Sequence, residues 1–287
     1  MHRIVVYPNI RKESDAMYTA TAVERLFSAG ASVCMPTFAK SALKFDTMEY
    51  ADDDKLYDGA DLILVLGGDG TILHAAKFAL AHDIPLLGIN LGRLGYMAEL
   101  EKDELSMLDR LFCNEYEIEK RMTLCAEIES AGKRRFLGYV LNDVVIDRGG
   151  YAKAVDLFLR ADEKPVRAYR SDGVIFATPT GSSSYSLAAG GSFVDPKLSC
   201  ICVTPICPIS RYACPTIFSG KTVLEVENID DRAASLPITM DGVNIASLGF
   251  GDKLKIKKSQ LPLKMVSMKG DGFFGVLNEK IKEYELK

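Results

Sequence analysis

The chain has 287 residues, of which 48% are hydrophobic and 26% are charged, and its formal net charge is −4. This length is enough for one large domain or two ordinary ones, and the composition is typical of a soluble globular protein. The slight acidity argues against a general nucleic-acid partner, because phosphate backbones attract clustered excess cations.

Hydropathy and cysteine spacing favour a cytoplasmic protein without a membrane partner. No apolar run approaches the ~20 residues that a membrane-spanning helix needs. The N-terminal segment turns polar after a few residues, so it lacks the apolar region of a signal peptide. The seven cysteines match neither a zinc ligand set nor a CxxC redox pair, and we expect reduced, mostly buried thiols.

The first hundred residues alternate between short β-rich runs and segments with helical spacing. Ala16, Ala20, Val23 and Phe27 recur at helical spacing, and Gly30 follows as a stop signal. Such alternation predicts a doubly wound, Rossmann-like α/β sheet. The other predicted elements are, in chain order, the strands Ile4–Tyr7, Ser32–Met35 and Asp61–Leu66, a turn at Gly67–Thr71, the helix Ile72–Ala81 and the strand Ile84–Ile89.

From about Tyr116 the pattern becomes one of long alternating stretches, which predicts a β-rich, β-sandwich-like second part with little helix beyond Ser183–Ala189. Two of these stretches are joined by Ala131-Gly132-Lys133 and read as a hairpin. We expect an α/β domain over 1–100 and a β-rich domain over 101–268. A predicted helix at Gly272–Leu286 folds back, so that 269–287 returns to the first domain. The further predicted strands are Asp156–Arg160, Gly173–Ala177, Cys200–Thr204, Thr222–Val226, Ile238–Met240 and Lys253–Lys257.

The sharpest local motif is Gly67-Gly68-Asp69-Gly70-Thr71, which follows a buried strand and precedes a helix. Glycines let the backbone approach a ligand closely, and the N–H groups of a helix N-terminus suit phosphate. Asp69 at the carboxyl end of a strand could accept a hydroxyl proton or hold Mg²⁺, both of which phosphoryl transfer needs. The structural alternative is a glycine turn in which Asp69 only caps the helix. Neither GxxxxGK[ST] nor a complete GxGxxG is present.

A second motif is the hydroxyl-rich segment Asp172–Leu187, which reads DGVIFATPTGSSSYSL. Small hydroxyls and loop N–H groups suit the sugar hydroxyls and ring nitrogens of a nucleotide, and Tyr185 offers a flat face for a base. A plain Ser/Thr-rich surface loop is the alternative.

A third motif is Asn142-Asp143, which supplies an amide and a carboxylate that suit an adenine edge and ribose hydroxyls. The pair is also common in turns.

These motifs, in this order, resemble the NAD kinase family. GGDGT alone is shared with diacylglycerol kinases, sphingosine kinases and phosphofructokinase, whereas DGVIFATPTGSSSYSLAAGG followed by Val203–Pro208 is similar to NAD kinases in particular. The similarity begins at Val5–Asn9 and includes the segments Gly88–Tyr96 and Glu119–Leu124.

The resemblance implies a kinase that moves a phosphoryl group from ATP, or polyphosphate, to the adenosine ribose 2′-hydroxyl of NAD, with NAD held between the two domains. It implies Mg²⁺ or another divalent cation as cofactor and a homodimer or homotetramer. Asp69 is the implied catalytic aspartate and a possible metal ligand. The implied nucleotide-binding residues are Gly67, Gly68, Gly70, Thr71, Tyr96, Asn142, Asp143, Asp172, Thr180, Ser183, Ser184 and Tyr185.

The sequence departs from the family pattern at five positions. Asp143 stands where the family usually has Glu, Ser184 where Ala is common and Ala188 where Ser is frequent. Ile209 replaces a common His and Cys214 a common Arg, which bears on subunit contacts more than on chemistry.

Two alternatives to an NAD kinase function are a lipid or sugar kinase of the same superfamily and a dinucleotide sensor without catalysis. His74 and His82 are expected to be packing residues, with His74 near the phosphate site.

Overall fold

The computed structural model describes residues 3–92, 95–210, 212–233, 235–270 and 275. They divide into two compact units. The first contains the chain up to Lys120 and the described residues from Leu263 onward, and the second is Arg121–Pro262. The predicted domain bounds, 1–100 and 101–268, differ from this division and stay a prediction. The predicted helix at 272–286 lies, apart from position 275, outside the described residues.

The first unit is built on an eight-stranded sheet. Its strands are β1 (Arg3–Pro8), β2 (Ser32–Pro36), β3 (Glu49–Ala51), β4 (Leu62–Gly67), β5 (Leu86–Asn90), β6 (Leu100–Glu101), β7 (Glu117–Arg121) and the last described strand, β20 (Leu263–Ser267). Their order in the sheet is β3-β2-β1-β4-β5-β20-β7, with β6 paired to β5. The pairs β1–β2, β1–β4, β2–β3, β4–β5, β5–β6 and β5–β20 are parallel. The helices are α1 (Glu13–Ser28), α2 (Asp53–Tyr57), α3 (Asp69–His82) and α4 (Arg110–Cys113), with 3₁₀ turns at Thr37–Ser41 and Leu105–Asp109.

The central strands β4 and β5 are formed by two apolar runs of the sequence. Every residue of β4 and β5 is buried, as expected of parallel strands covered on both faces. Helix α1 packs Ala22, Val23 and Leu26 into the core, which is the apolar stripe that the spacing predicts. The predicted turn at Gly67–Thr71 is shorter than expected, because α3 already begins at Asp69.

The second unit consists of two six-stranded antiparallel sheets, β15-β14-β13-β10-β17-β18 and β12-β11-β16-β19-β8-β9. Its helical segments are a 3₁₀ turn at Thr180–Ser183 and α5 (Tyr185–Ala188). The strands are β8 (Leu124–Ser130), β9 (Lys133–Val140), β10 (Asp143–Asp147), β11 (Val155–Ala161), β12 (Lys164–Ser171), β13 (Gly173–Ala177), β14 (Cys200–Ile206), β15 (Thr216–Ser219), β16 (Leu224–Asn228), β17 (Ser235–Met240), β18 (Val243–Gly249) and β19 (Lys253–Lys258).

The two sheets of the second unit share one core. Side chains from both contribute, such as Val144 and Phe176 from one sheet and Leu157 and Ile256 from the other. The fold class predicted from the sequence, an α/β first part and a β-sandwich-like second part, is confirmed. The hairpin predicted at Ala131-Gly132-Lys133 joins β8 to β9, and both Ala131 and Gly132 have positive φ angles.

Gly88 in β5 lets α3 pack closely on the sheet, because a Cβ there would lie 2.5 Å from Cδ1 of Ile72 and 3.2 Å from Cα of Ala98. We expect Gly88→Ala to lower the free energy of unfolding by about 1–3 kcal/mol through overpacking. Gly150→Ala is the matched control, since its Cβ would meet open space. Chemical denaturation of both variants measures the difference, and equal stabilities would contradict this packing.

Candidate functional site

In the first unit, an open cavity of about 820 Å³ lies where β1 and β4 end. The loop after β1 lines one side and the start of α3 lines the other. Since β1 and β4 are parallel and pair Pro8 with Leu66, both strands end at the same edge of the sheet. This is the edge at which open α/β sheets bind their ligands.

The three glycines of the GGDGT motif line this cavity, and the lack of a side chain has a different consequence at Gly67 than at Gly68 and Gly70. A Cβ on Gly67 would lie 2.5 Å from Oγ1 of Thr71 and 3.1 Å from Cβ of Asn9, so a side chain is sterically excluded. A Cβ on Gly68 or Gly70 would meet no described atom within 4 Å. The backbone at Gly68 and Gly70 is therefore open to a ligand at the N-terminus of α3.

Asp69 is the first residue of α3, and its carboxylate is held by a loop of the same unit. The main-chain N–H groups of Tyr96 and Met97 donate to it at 2.9 and 3.2 Å. A Cβ on Gly95 would lie 2.1 Å from Oδ1 of Asp69. Gly68 is the N-cap residue of α3 and makes no side-chain cap. The half-buried Asp69 carboxylate therefore keeps a fixed position with acceptor capacity to spare, and its catalytic role stays a prediction.

The loop after β1 brings two cations to the cavity that sequence reasoning missed as site residues. Arg11 and Lys12 are exposed there, and their main-chain N–H groups donate to the buried Asp15 carboxylate at 3.0 and 3.1 Å. Nε of Arg11 donates to Oδ1 of Asn9, and Nδ2 of Asn9 donates to Oγ1 of Thr71. The available signal was a cation pair directly after the first predicted strand.

In the second unit, three strand ends meet around Asn142 and Asp143. Strand β10 is antiparallel to β13 and β17, so its start lies beside their ends. Asp143 pairs with Ala177, and Val144 pairs with Met240. The segment after β13, which begins at Thr178 and carries the hydroxyls, therefore starts next to Asn142.

Asp241, which sequence reasoning missed, holds the Asn142-Asp143 backbone in place. Its carboxylate accepts the main-chain N–H groups of Leu141, Asn142 and Asp143 at 2.9, 2.8 and 3.2 Å. The main-chain N–H of Asp241, at a positive φ angle, donates back to the carbonyl of Asp143. No local signal links it to Asn142, since 99 residues separate the two.

Thr178 and Gly181 hold the same segment from the other side. Oγ1 of Thr178 donates to the Leu141 carbonyl at 2.5 Å, and its N–H donates to the Asn142 carbonyl at 2.8 Å. A Cβ on Gly181 would lie 2.1 Å from the carbonyl oxygen of Asn142. The backbone around Asn142 is therefore fixed by hydrogen bonds and by close packing.

Two buried polar atoms of this region lack a hydrogen-bond partner among the described residues. They are Oδ1 of Asn142 and Oγ1 of Thr180, on residues only 7% and 8% exposed. Both atoms have the capacity to bond a polar ligand or a water molecule.

Asp143 is a buried acid with an unusual proton affinity. Burial, and next the nearby Asp241 carboxylate, raise the pKa of Asp143 to about 7. Strand alternation puts Asp143 and Asp147 on the face of the sheet that carries Val145, whereas Val144 and Ile146 point into the sandwich core.

Tyr185 and Asp172 belong to the same neighbourhood. Burial raises the pKa of the Tyr185 phenol, and the carboxylates of Asp147, Asp172 and Asp143 raise it further. Its ring is nevertheless 44% exposed at the start of α5. Asp172 lies between β12 and β13, and its carboxylate pairs with Nε of Arg148 at 3.1 Å.

The serines of the hydroxyl-rich segment divide into structural and accessible ones. Ser182 and Ser186 are buried and bonded within the unit, to Val194 and Thr204 respectively. Ser183 donates to the Thr180 carbonyl and is half-buried, while Ser184 is exposed. The alternative of a plain surface loop is wrong for this segment as a whole, since Thr178 through Ser182 are buried. The ligand-binding roles of the predicted residues stay predictions.

The five departures from the family pattern lie mainly at exposed positions. Asp143 is buried, whereas Ser184, Ala188, Ile209 and Cys214 are exposed.

Within the described ranges, no three His, Cys, Asp or Glu side chains group as metal ligands. In that same part of the chain, no helix is both long and apolar enough to cross a membrane.

Two family models together match most of the chain. The ATP-NAD kinase N-terminal domain matches residues 4–116, and the ATP-NAD kinase C-terminal domain matches residues 141–268. The NAD kinase of Thermoanaerobacter sp. is 35% identical over 284 residues, which are 99% of this chain and all of the relative. The NAD kinase of Lachnoclostridium phytofermentans is 36% identical over 286 residues, with 98% and 99% covered.

Two solved structures share the fold. A yeast NADH kinase complexed with NADH superposes with a TM-score of 0.89 at 21% identity, covering 98% of this chain and 88% of that one. An NAD kinase from Archaeoglobus fulgidus in complex with ATP has a TM-score of 0.70 at 26% identity, covering 98% and 99%. The chain therefore belongs to the ATP-NAD kinase family, and it is a kinase.

Proposed function

We propose that this chain transfers the γ-phosphoryl group of ATP to the adenosine ribose 2′-hydroxyl of NAD, giving NADP and ADP. The observation that carries the proposal is the Asp69 carboxylate, held by the N–H groups of Tyr96 and Met97 beside the open backbone of Gly68 and Gly70. Phosphoryl transfer needs a positioned acceptor for the hydroxyl proton next to a phosphate cradle, and these residues supply both.

In this mechanism the 2′-oxygen attacks the γ-phosphorus while the bond to the β-phosphate oxygen breaks. The hydroxyl proton passes to the carboxylate of Asp69, and ADP leaves with the electrons of the broken bond. Backbone N–H groups at Gly68 and Gly70 hold the donor phosphates, with Arg11 and Lys12 providing positive charge. Most of the rate enhancement comes from position and charge neutralisation, because phosphoryl transfer requires little covalent chemistry from a protein.

The second unit supplies the groups that recognise a dinucleotide. The unpartnered Oδ1 of Asn142 accepts an amino group of adenine, and Oγ1 of Thr180 bonds a ring nitrogen or a sugar hydroxyl. The carboxyl groups of Asp143 and Asp172 bond ribose hydroxyls. The exposed ring of Tyr185 stacks on a base, and Ser183 and Ser184 add hydroxyls near it.

A divalent cation, Mg²⁺ in the first place, neutralises charge on the donor phosphates in such reactions. Asp69 would be the carboxylate that helps to hold this ion, because Mg²⁺ commonly binds through one or two carboxylates and substrate phosphates. A cytoplasmic location, a homodimer or homotetramer, and the lack of nucleic-acid and membrane partners are proposals that rest on family resemblance and composition.

Asp69→Asn should lower turnover at least ~100-fold, because the amide cannot take the hydroxyl proton. NADP formation from NAD, ATP and Mg²⁺ measures this, with thermal unfolding to verify the fold. Asp109→Asn is the control, since this exposed carboxylate makes only a surface ion pair with Arg25. Near-normal turnover in Asp69→Asn would remove the catalytic assignment, and a wild-type protein that makes no NADP would refute the proposed function itself.

Asp143→Asn should stabilise the ligand-free protein increasingly as the pH rises from 5 to 8. The folded pKa of about 7 lies above the ordinary 3.8, so the fold retains a proton that the unfolded chain releases. Stability is therefore lost as the pH rises through this window, and an amide avoids the loss. Melting temperatures across the pH range measure it, with the exposed Asp231→Asn as control. A pH-independent difference would show that Asp143 ionises normally.

Asp241→Asn should raise KM for NAD about tenfold or more while leaving the fold intact. In this variant the NH₂ group of the side-chain amide faces at least one of the main-chain N–H groups of Leu141, Asn142 and Asp143, so that hydrogen bond is lost. A hydrogen bond to a charged group contributes roughly 1.5–3 kcal/mol. Removing the negative neighbour should also move the pH midpoint of NAD binding downward. Asp252→Asn, which alters another turn carboxylate bonded to the N–H of Gly249, is the control. An unchanged KM and midpoint would make Asp241 purely structural.

A further inference from the structure

The cavity of the first unit has a second wall, which the phosphate chemistry does not use. Phe38, in the 3₁₀ turn after β2, is 55% exposed, and its ring meets the ring of Tyr7 edge-on at 5.7 Å between centroids. The ring of Tyr7 in turn lies 5.4 Å from the imidazole of His74 at an interplanar angle of 35°. All three side chains line the cavity.

Two rings of the aromatic wall lie on the elements that lead to the phosphate cradle. His74 is one turn of α3 beyond Gly70, a rise of about 5–6 Å, and Tyr7, on β1, is two residues before Asn9, about 6–7 Å along the chain. A sugar occupies a similar span between a base and its phosphates. The cavity volume of about 820 Å³ is within the ~300–1,000 Å³ that small-molecule sites have.

The charged residues of the lining are Arg11 and Lys12, in the loop after β1, and Asp15, in the first turn of α1. The aromatic wall contributes neutral rings. Burial raises the pKa of the Tyr7 phenol, and burial together with Lys77 lowers the pKa of His74, so both are uncharged at neutral pH. A neutral aromatic wall suits a stacked base, since every base has a π face.

We propose that Phe38, Tyr7 and His74 form a base-binding platform, so that this subsite selects a nucleoside triphosphate over inorganic polyphosphate as the phosphoryl donor. The proposal rests on the proposed function and adds a specificity determinant to it. Inorganic polyphosphate is charged along its whole length and would place anionic phosphates against the rings. The cations among the described lining residues, Arg11 and Lys12, lie at one part of the cavity only.

Direct binding tests the platform without requiring turnover. Calorimetry with Mg²⁺ compares ATP with inorganic tripolyphosphate, on the wild-type protein and on Phe38→Ala, Phe38→Leu and Phe38→Trp. Base stacking on an aromatic side chain contributes about 1–3 kcal/mol, so Phe38→Ala should weaken ATP binding about fivefold or more and leave tripolyphosphate binding unchanged. Phe38→Leu should behave like alanine, and Phe38→Trp should retain ATP binding.

Phe250→Ala is the matched control, because Phe250 is exposed to a similar degree, 59%, and belongs to the other unit. It should change neither affinity. Equal wild-type affinities for ATP and tripolyphosphate would overturn the proposal, as would an equal loss of both in Phe38→Ala. Wild-type protein that prefers ATP through Phe38 but forms no NADP would refute the proposed function while leaving the platform in place.

Discussion

The parallel pairing of β1 with β4 is the constraint on which the site of the first unit depends. The register places Pro8 beside Leu66, so Asn9, the first residue after β1, lies next to Gly67, the last residue of β4. The side-chain amide of Asn9 then donates to Oγ1 of Thr71 at 3.0 Å. These two side chains leave no room for a Cβ on Gly67. The cation-bearing loop and the open N-terminus of α3 therefore face one cavity because two hydrophobic strands end together.

Much of the first unit could be predicted because its signals are local. Buried parallel strands are continuous apolar runs, so the sequence placed the middle strands to within about two residues of the observed ones. The glycine motif is also a local signal, and it lies at the start of α3 where the cavity is. The partners of Asp69 could not be predicted, since Tyr96 and Met97 lie 27 and 28 residues further along the chain and donate through their main chain, which no side-chain pattern reveals.

The second unit was harder to predict because its strands depend on distant partners. The alternating stretch that ends at Asp147 contains two strands in different sheets, β9 and β10, which separate at Leu141 and Asn142. The break is stabilised by Asp241, about a hundred residues away, which accepts the N–H groups that a continuing ladder would have used. The missed strands β12, β15 and β18 are sheet edges, where one partner suffices and few residues are buried, so they lack the pattern of a core strand.

The hydrogen bonds of the second unit explain why the side-chain oxygen of Asn142 has no partner among the described residues. The carboxylate of Asp241 and the hydroxyl of Thr178 satisfy the backbone around Asn142, so the side-chain oxygen of Asn142 is not needed to hold the fold. That oxygen and the hydroxyl of Thr180 are buried and bond no other group of the described structure. A ligand that bonds both groups would meet a backbone that is already fixed, so little further ordering would oppose its binding. Such a site would favour a polar ring system over an apolar one.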